Sequence, residues 1–315
     1  MSMPGLTILI NLYHQAMRHL LLLLACLSCV PAVAAERLRI ACGSSVVLDL
    51  TAIIGAGRVE AVPLVPAGMD PHSYQPRPED AANLARCQAV VINGLGFEGW
   101  WERLAREAAF PADRLIVAAA GVAPLPMAAV PGHEGHDHGP GGHDPHAFGD
   151  VANAILYVAA IRDGLSRIDP ASAAHYRLTA DLLGSELRAL DGWVKRSLAT
   201  IPAARRVIVT NHDGMQYFAK AYGFTVRSPN TALADSQPSA RSIEAIAAFI
   251  RREQVPAVFI EHAANPRTVE QVAAEAGVRV GGRLWVDGTP PADAPHTGYR
   301  GMVVANVLTL IDGLR

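Results

Sequence analysis

Residues 207–223 read VIVTNHDGMQYFAKAYG. Val207 to Thr210 form a short apolar, β-branched run of the kind that makes a buried strand. The run ends at Asn211-His212-Asp213, and a helix is expected over 214–222. A strand, a polar turn bearing a histidine and a returning helix make up the repeating unit of a parallel α/β sheet.

The same alternation runs outward in both directions. Upstream, strands are expected at 38–41, 61–65, 89–92 and 114–117, with helices near 46–55, 77–86 and 100–108. Downstream come strands at 224–227 and 257–261, helices at 239–253 and 266–276, and a strand region opening at Val278–Val280. Leu284-Trp285-Val286 then ends at Asp287, and a helix from Tyr299 to Leu314 closes the chain. Between the two sets the pattern is helical for nearly fifty residues. One helix is expected over 151–167, and another starts at Asp169-Pro170, with Asp169 as N-cap, and runs to Ala199. At 1.5 Å per residue that second helix reaches roughly 45 Å, long enough to be a rigid spine between two lobes. The expected fold class is α/β: two lobes with parallel sheets joined by a long rigid helix. The expected division is a signal peptide over 1–35, an N-terminal lobe over 36–168 with a flexible histidine-rich loop at 131–143, a connecting helix over 169–200, and a C-terminal lobe over 201–315.

The leader is read from Met17-Arg18-His19, an apolar run from Leu20 to Val33, and Ala32-Val33-Ala34 before Ala35-Glu36. A basic start, a short apolar stretch and an A-x-A site specify secretion. The run is too short to span a bilayer. Residues 1–16 add nothing to this signal, so Met17 is an alternative start. Leu23-Leu24-Ala25-Cys26 is a poor lipoprotein site because of Leu24, so the expected location is the bacterial periplasm, with lipid anchoring the lesser alternative. Cleavage leaves Cys42 and Cys87, late in one strand and just before another. In a parallel sheet those are opposite ends, which predicts two free thiols. The 315 residues carry 27 Lys and Arg against 29 Asp and Glu, for a net charge of −2, so no basic excess points to nucleic acid.

Ligands of open parallel sheets gather where the carboxyl ends of the strands meet their loops. His72, His212 and Asp287 each follow an apolar strand, and His146 ends the long loop after the fourth. His72 and His146 share a tripeptide, Asp70-Pro71-His72 and Asp144-Pro145-His146, in which proline limits how the next side chain is aimed. Three neutral imidazoles and a carboxylate form a tetrahedral nitrogen and oxygen set suited to Zn²⁺. A nitrogen-rich set also favours zinc over manganese. A single strand-end histidine is more often a hydrogen-bonded residue than a ligand, and spacing alone leaves the shared and separate readings equally open. Residues 131–150, PGHEGHDHGPGGHDPHAFGD, add His133, His136, His138 and His143, with Glu134 and Asp137 beside them.

Taken together, GMDPHSYQPRPED, VVINGLGFEGW, DPHAFGD followed by IDPASAAHY, VIVTNHDGMQYFAKAYG and LWVDG resemble the metal-binding solute receptors that feed zinc and manganese ABC importers. The resemblance covers essentially the whole mature chain. It implies a metal clamped in the cleft between two lobes by His72, His146, His212 and Asp287. It also implies a Zn²⁺ cargo, because manganese-type members generally carry Glu at the position of His212. Ala147-Phe148 departs from the family, in which Trp is frequent after the histidine, and some zinc members lack a fourth ligand, which bears on Asp287. His133, His136, His138 and His143 match an auxiliary loop that captures zinc weakly. The implied partner of this monomer is the ABC importer's membrane permease, with a periplasmic zinc chaperone a further candidate. A manganese or iron receptor is the near alternative. A zinc hydrolase is the distant one, since there is no H-E-x-x-H and four ligands would close the metal to water.

Other polar residues are assigned less directly. Asp70 and Asp144 are equally suited to orient a ligand imidazole or to form a turn before proline. Asn93, Glu98 and Asn211 lie near the expected cleft without an assigned role. His175, His262 and His296 are expected at the surface.

Overall fold

The computed structural model describes residues 37–127, 142–229 and 238–315. The expected signal peptide and His133, His136 and His138 lie outside the described residues.

Strands β1 (Leu38–Cys42), β2 (Val59–Pro63), β3 (Ala89–Ile92) and β4 (Leu115–Val117) form a parallel sheet of order β2-β1-β3-β4. β3 is buried throughout, and the last three residues of β1 are buried as well. Both central strands therefore read as unbroken apolar runs rather than alternating ones. Helix α1 (Ser45–Ile54) follows β1, α2 (Pro78–Leu84) precedes β3, and α3 (Trp101–Glu107) follows it. Two apolar clusters result. One contains Leu84, Val90, Trp100 and Leu104, and the other contains Val46, Leu50, Val91 and Ile116 together with the long helices.

Helix α4 (Val151–Ile168) begins at Asp150, whose side chain accepts the Ala152 N–H and fills the N-cap role. The helix lies so close to β4 that a Cβ on Gly164 would meet Ile116 atoms at 2.6 Å. Gly164→Ala is expected to destabilise the protein by about 1–3 kcal/mol through overpacking, read as a lower urea midpoint with an unchanged slope. An unaltered midpoint would show that the helix has room to move away.

The long helix expected from Asp169 is present but starts later. Pro170–Ser172 form a single 3₁₀ turn, and α5 spans Ala173–Leu198. Asp169 stands at the N-cap of this turn, followed by Pro170, and its carboxylate accepts the Tyr176 hydroxyl at 2.9 Å. Twenty-six residues give a rod of about 39 Å. Its buried positions, Tyr176, Ala180, Leu183, Leu187, Val194 and Leu198, keep the helical period.

Beyond α5, β5 (Val207–Val209) pairs with β6 (Thr225–Arg227) and β7 (Ala257–Glu261) with β8 (Arg279–Leu284), both in parallel. Helices α6 (Gln216–Tyr222), α7 (Ala240–Glu253), α8 (Arg267–Ala276) and α9 (Gly298–Leu314) complete the α/β pattern. The strand expected from 278–280 runs on to Leu284 as β8, and Trp285 and Val286, expected to be strand, lie beyond its end. Gly281 and Gly282 do not break it, because they allow close approach: a Cβ on Gly281 would sit 2.8 Å from the Phe259 ring and 3.2 Å from the Gly313 backbone. Cys42 and Cys87 are free and buried. Cys42 pairs with Val91, four residues beyond Cys87, so about 13 Å of strand separates the two levels.

Candidate metal centre

The loop after β2 delivers His72, and the turns after β5 and β8 deliver His212 and Asp287. His146 arrives from a pinned loop base. Pro126 and His143 form an antiparallel bridge, the Met127 N–H donates to the Gly142 carbonyl at 2.9 Å, and the Asp144 N–H donates to the Leu125 carbonyl at 2.9 Å. The exposed His143 thus belongs to this base and not to the four-residue cluster.

One potential ligand atom from each of His72, His146, His212 and Asp287 falls within 4.8 Å of all the others. His146 Nε2 lies 3.0 Å from His72 Nε2, 3.2 Å from His212 Nε2 and 3.0 Å from Asp287 Oδ1. Asp287 Oδ1 lies 3.5 Å from Nε2 of both His72 and His212. A tetrahedron with bonds of zinc length has edges of about 3.3 Å, so these spacings fit a small four-coordinate ion. His146, His212 and Asp287 are each at most 3% exposed.

The electrostatics point the same way. His146 Nδ1 donates to Asp144 Oδ1 at 2.7 Å, and His212 Nδ1 donates to Glu261 Oε2 at 2.6 Å. A carboxylate only accepts, so each Nδ1 carries a proton, and each ring when neutral turns a lone pair toward the other donor atoms. Lone pairs facing one another at about 3 Å repel unless a cation, either a proton or a metal, sits among them. Burial alone would lower the His146 pKa, but bonding to Asp144 and Asp287 outweighs it and pushes the value up to about 10. For His212 burial also opposes the proton, while the charges of Glu261 and Asp287 raise the pKa to about 9. Burial works to raise the Asp287 pKa, yet the three imidazoles hold it well below the usual carboxylate range.

The two Asp-Pro-His tripeptides differ in one respect that their sequence does not reveal. Asp70 and Asp144 both accept the backbone N–H of the histidine two residues on, at 2.8 and 2.9 Å. Asp144 also holds its imidazole, whereas the second oxygen of Asp70 takes the Ser73 hydroxyl. Glu261, which holds both the ring and the backbone N–H of His212, was not foreseen. The available signal was an acid closing the otherwise apolar strand AVFIE. Asn211 supports it, its Oδ1 accepting the Glu261 N–H at 3.0 Å. Glu98 is buried, and desolvation raises its pKa to about 7 although the N–H groups of Asn93 and Gly94 favour the charged form. His296 is exposed, His175 is half-buried, and His262 stacks on Trp285 with ring centroids 3.4 Å apart, all outside the cluster.

Parallel α/β sheets converging on a nitrogen-rich donor set are the build of a metal-binding solute receptor. The family model described as zinc-uptake complex component A, periplasmic (ZnuA), matches residues 40–313, and the chain belongs to this family. The manganese-binding lipoprotein MntA of Halalkalibacterium halodurans is 30% identical over 279 residues, 89% of each chain. The zinc-binding protein TroA of Treponema pallidum is 30% identical over 85% of this chain and 86% of its own. The iron-binding protein YfeA of Yersinia pestis is 27% identical over 90% of this chain and 88% of its own. Among solved structures, the periplasmic zinc-binding protein TroA matches with a TM-score of 0.78 and 26% identity, covering 89% of this chain and 99% of that one.

Proposed function

We propose that this chain captures Zn²⁺ outside the cytoplasm and delivers it to the membrane permease of an ABC importer. The observation that carries the reading is the convergence of three imidazoles and one carboxylate, two of the imidazoles held at Nδ1 by a buried carboxylate. His72, His146, His212 and Asp287 are the ligands in this reading. Such carboxylate partners raise ligand basicity and fix the ring. The lobes, 36–168 and 201–315, close on the ion about the helix at 169–200. The chain is a receptor, not an enzyme, since four protein donors leave a tetrahedral ion no open position for water. It works as a monomer in the periplasm, loaded directly or from a zinc chaperone.

Manganese and iron appear in the names of relatives and make the second reading. The nitrogen-rich donors and tetrahedral spacing favour zinc over both. Titration of the metal-free mature protein is expected to show one tight zinc per chain, undisplaced by equimolar manganese or iron(II). Displacement by either would replace zinc as the cargo.

The histidine tract is proposed to hold additional zinc weakly. A deletion confined to 130–140 leaves the Pro126–His143 base in place. It is expected to keep the tight site while losing the weak binding in the same titration. Loss of the tight site would mean that the tract supplies true ligands.

A further inference from the structure

Residues 93–100, NGLGFEGW, touch both Asp-Pro-His tripeptides although none of them belongs to the four-residue cluster. Trp100 Nε1 donates to the Pro71 carbonyl at 2.8 Å, and Asn93 Nδ2 donates to the Pro145 carbonyl at 2.9 Å. In each case the acceptor is the peptide oxygen immediately before the histidine. Phe97, fully buried, sets its ring edge-on to His72 and His146, with centroids 4.4 and 5.6 Å away.

The segment is itself locked. Gly94, Leu95 and Gly96 all have positive φ, +87°, +56° and +84°, which folds the chain tightly enough to aim Phe97 back at the histidines. The Glu98 carboxylate closes this turn by accepting the N–H groups of Asn93 at 2.8 Å and Gly94 at 3.2 Å. The Tyr157 hydroxyl donates to Asn93 Oδ1 at 2.8 Å, so the amide nitrogen must face Pro145.

We propose that residues 93–100 are a clip that sets the spacing between His72 and His146, with Trp100 and Asn93 as positioning residues, and that this spacing confers the zinc preference. The proposal rests on the reading that both histidines bind the metal. Zinc bonds are short and its shell is small, so an enforced spacing near 3 Å suits it. Manganese tolerates a looser, oxygen-rich shell and gains less from the constraint. The two positioning residues are not equal. His146 keeps the Asp144 anchor on its ring if Asn93 is lost, whereas Asp70 holds only the backbone N–H of His72 and not its ring, so His72 depends more on Trp100.

The test uses the mature protein titrated with zinc, with manganese and with cobalt(II), the last reporting coordination geometry through its visible absorption. Trp100→Phe keeps the ring and removes only the donor. It is expected to weaken zinc about tenfold and manganese less than about threefold, and to reduce the intensity of the tetrahedral cobalt bands. Asn93→Ala should act in the same direction and less strongly; if it does not fold, Trp100→Phe alone decides. His146→Ala serves as the control. Undiminished zinc affinity in a folded His146→Ala variant would refute the metal-site reading itself. If His146→Ala weakens zinc sharply while Trp100→Phe leaves affinity and the cobalt spectrum unchanged, the clip is refuted and the site stands. An equal loss of zinc and manganese with an unaltered cobalt spectrum would also overturn the proposal.

Discussion

His146→Ala is expected to weaken zinc binding by more than about a hundredfold, since partners one bond further from a metal already cost 10- to 100-fold when removed. Its Nε2 is the most central of the four donor atoms, within 3.2 Å of the other three. The substitution has a second consequence that affinity alone does not show. Asp144 would stay buried, at 2% exposure, without its imidazole partner. Breaking one side of a buried pair leaves an uncompensated charge, so the metal-free variant should lose about 3 kcal/mol of stability. Zinc titration and urea denaturation of the metal-free protein measure the two effects separately. Wild-type zinc affinity in a folded variant would remove His146 from the ligand set.

The second large effect is in pH. His146 and His212 have pKa values raised above the ordinary 6.5, to about 10 and about 9, so at neutral pH the metal-free site prefers to hold protons. Zinc needs the lone pairs that those protons occupy. A raised pKa keeps the competitor bound at low pH and releases it only as pH rises through 9 to 10. Affinity should therefore climb with pH across the neutral range and flatten above about 10. Displacing both protons gives a slope approaching two log units of affinity per pH unit. Calorimetry at pH 7 in buffers of different ionisation enthalpy counts the protons directly, and about two per zinc are expected. Proton-independent binding would mean that the rings are already neutral before the metal arrives.

Much of this was legible along the chain for local reasons. Strand, turn and helix at 207–223 follow from apolar periodicity, and the strand ends place His72, His212 and Asp287 where parallel sheets bind ligands. The Asp-Pro-His turns are local as well, because Asp70 and Asp144 each bond a backbone N–H only two residues away. Element boundaries were less legible. The first residues after Asp169 form a 3₁₀ turn before α5 begins at Ala173, and the continuity of β8 follows from room for Phe259 beside Gly281.

The chemical environment of the four clustered residues was decided in three dimensions. Glu261 reaches His212 across 49 residues, and Trp100 reaches Pro71 across 29. Such pairs depend on which strands become neighbours and in what register, and neither is written in local periodicity. The repeated tripeptide shows the boundary most clearly. The sequence by itself determined that an acid stands two residues ahead of each histidine, within reach of its backbone N–H, and left open whether it turns the chain or holds the ring. Only the tertiary structure decided that Asp144 would also hold its imidazole while Asp70 would not, because each ring is aimed by contacts from distant segments.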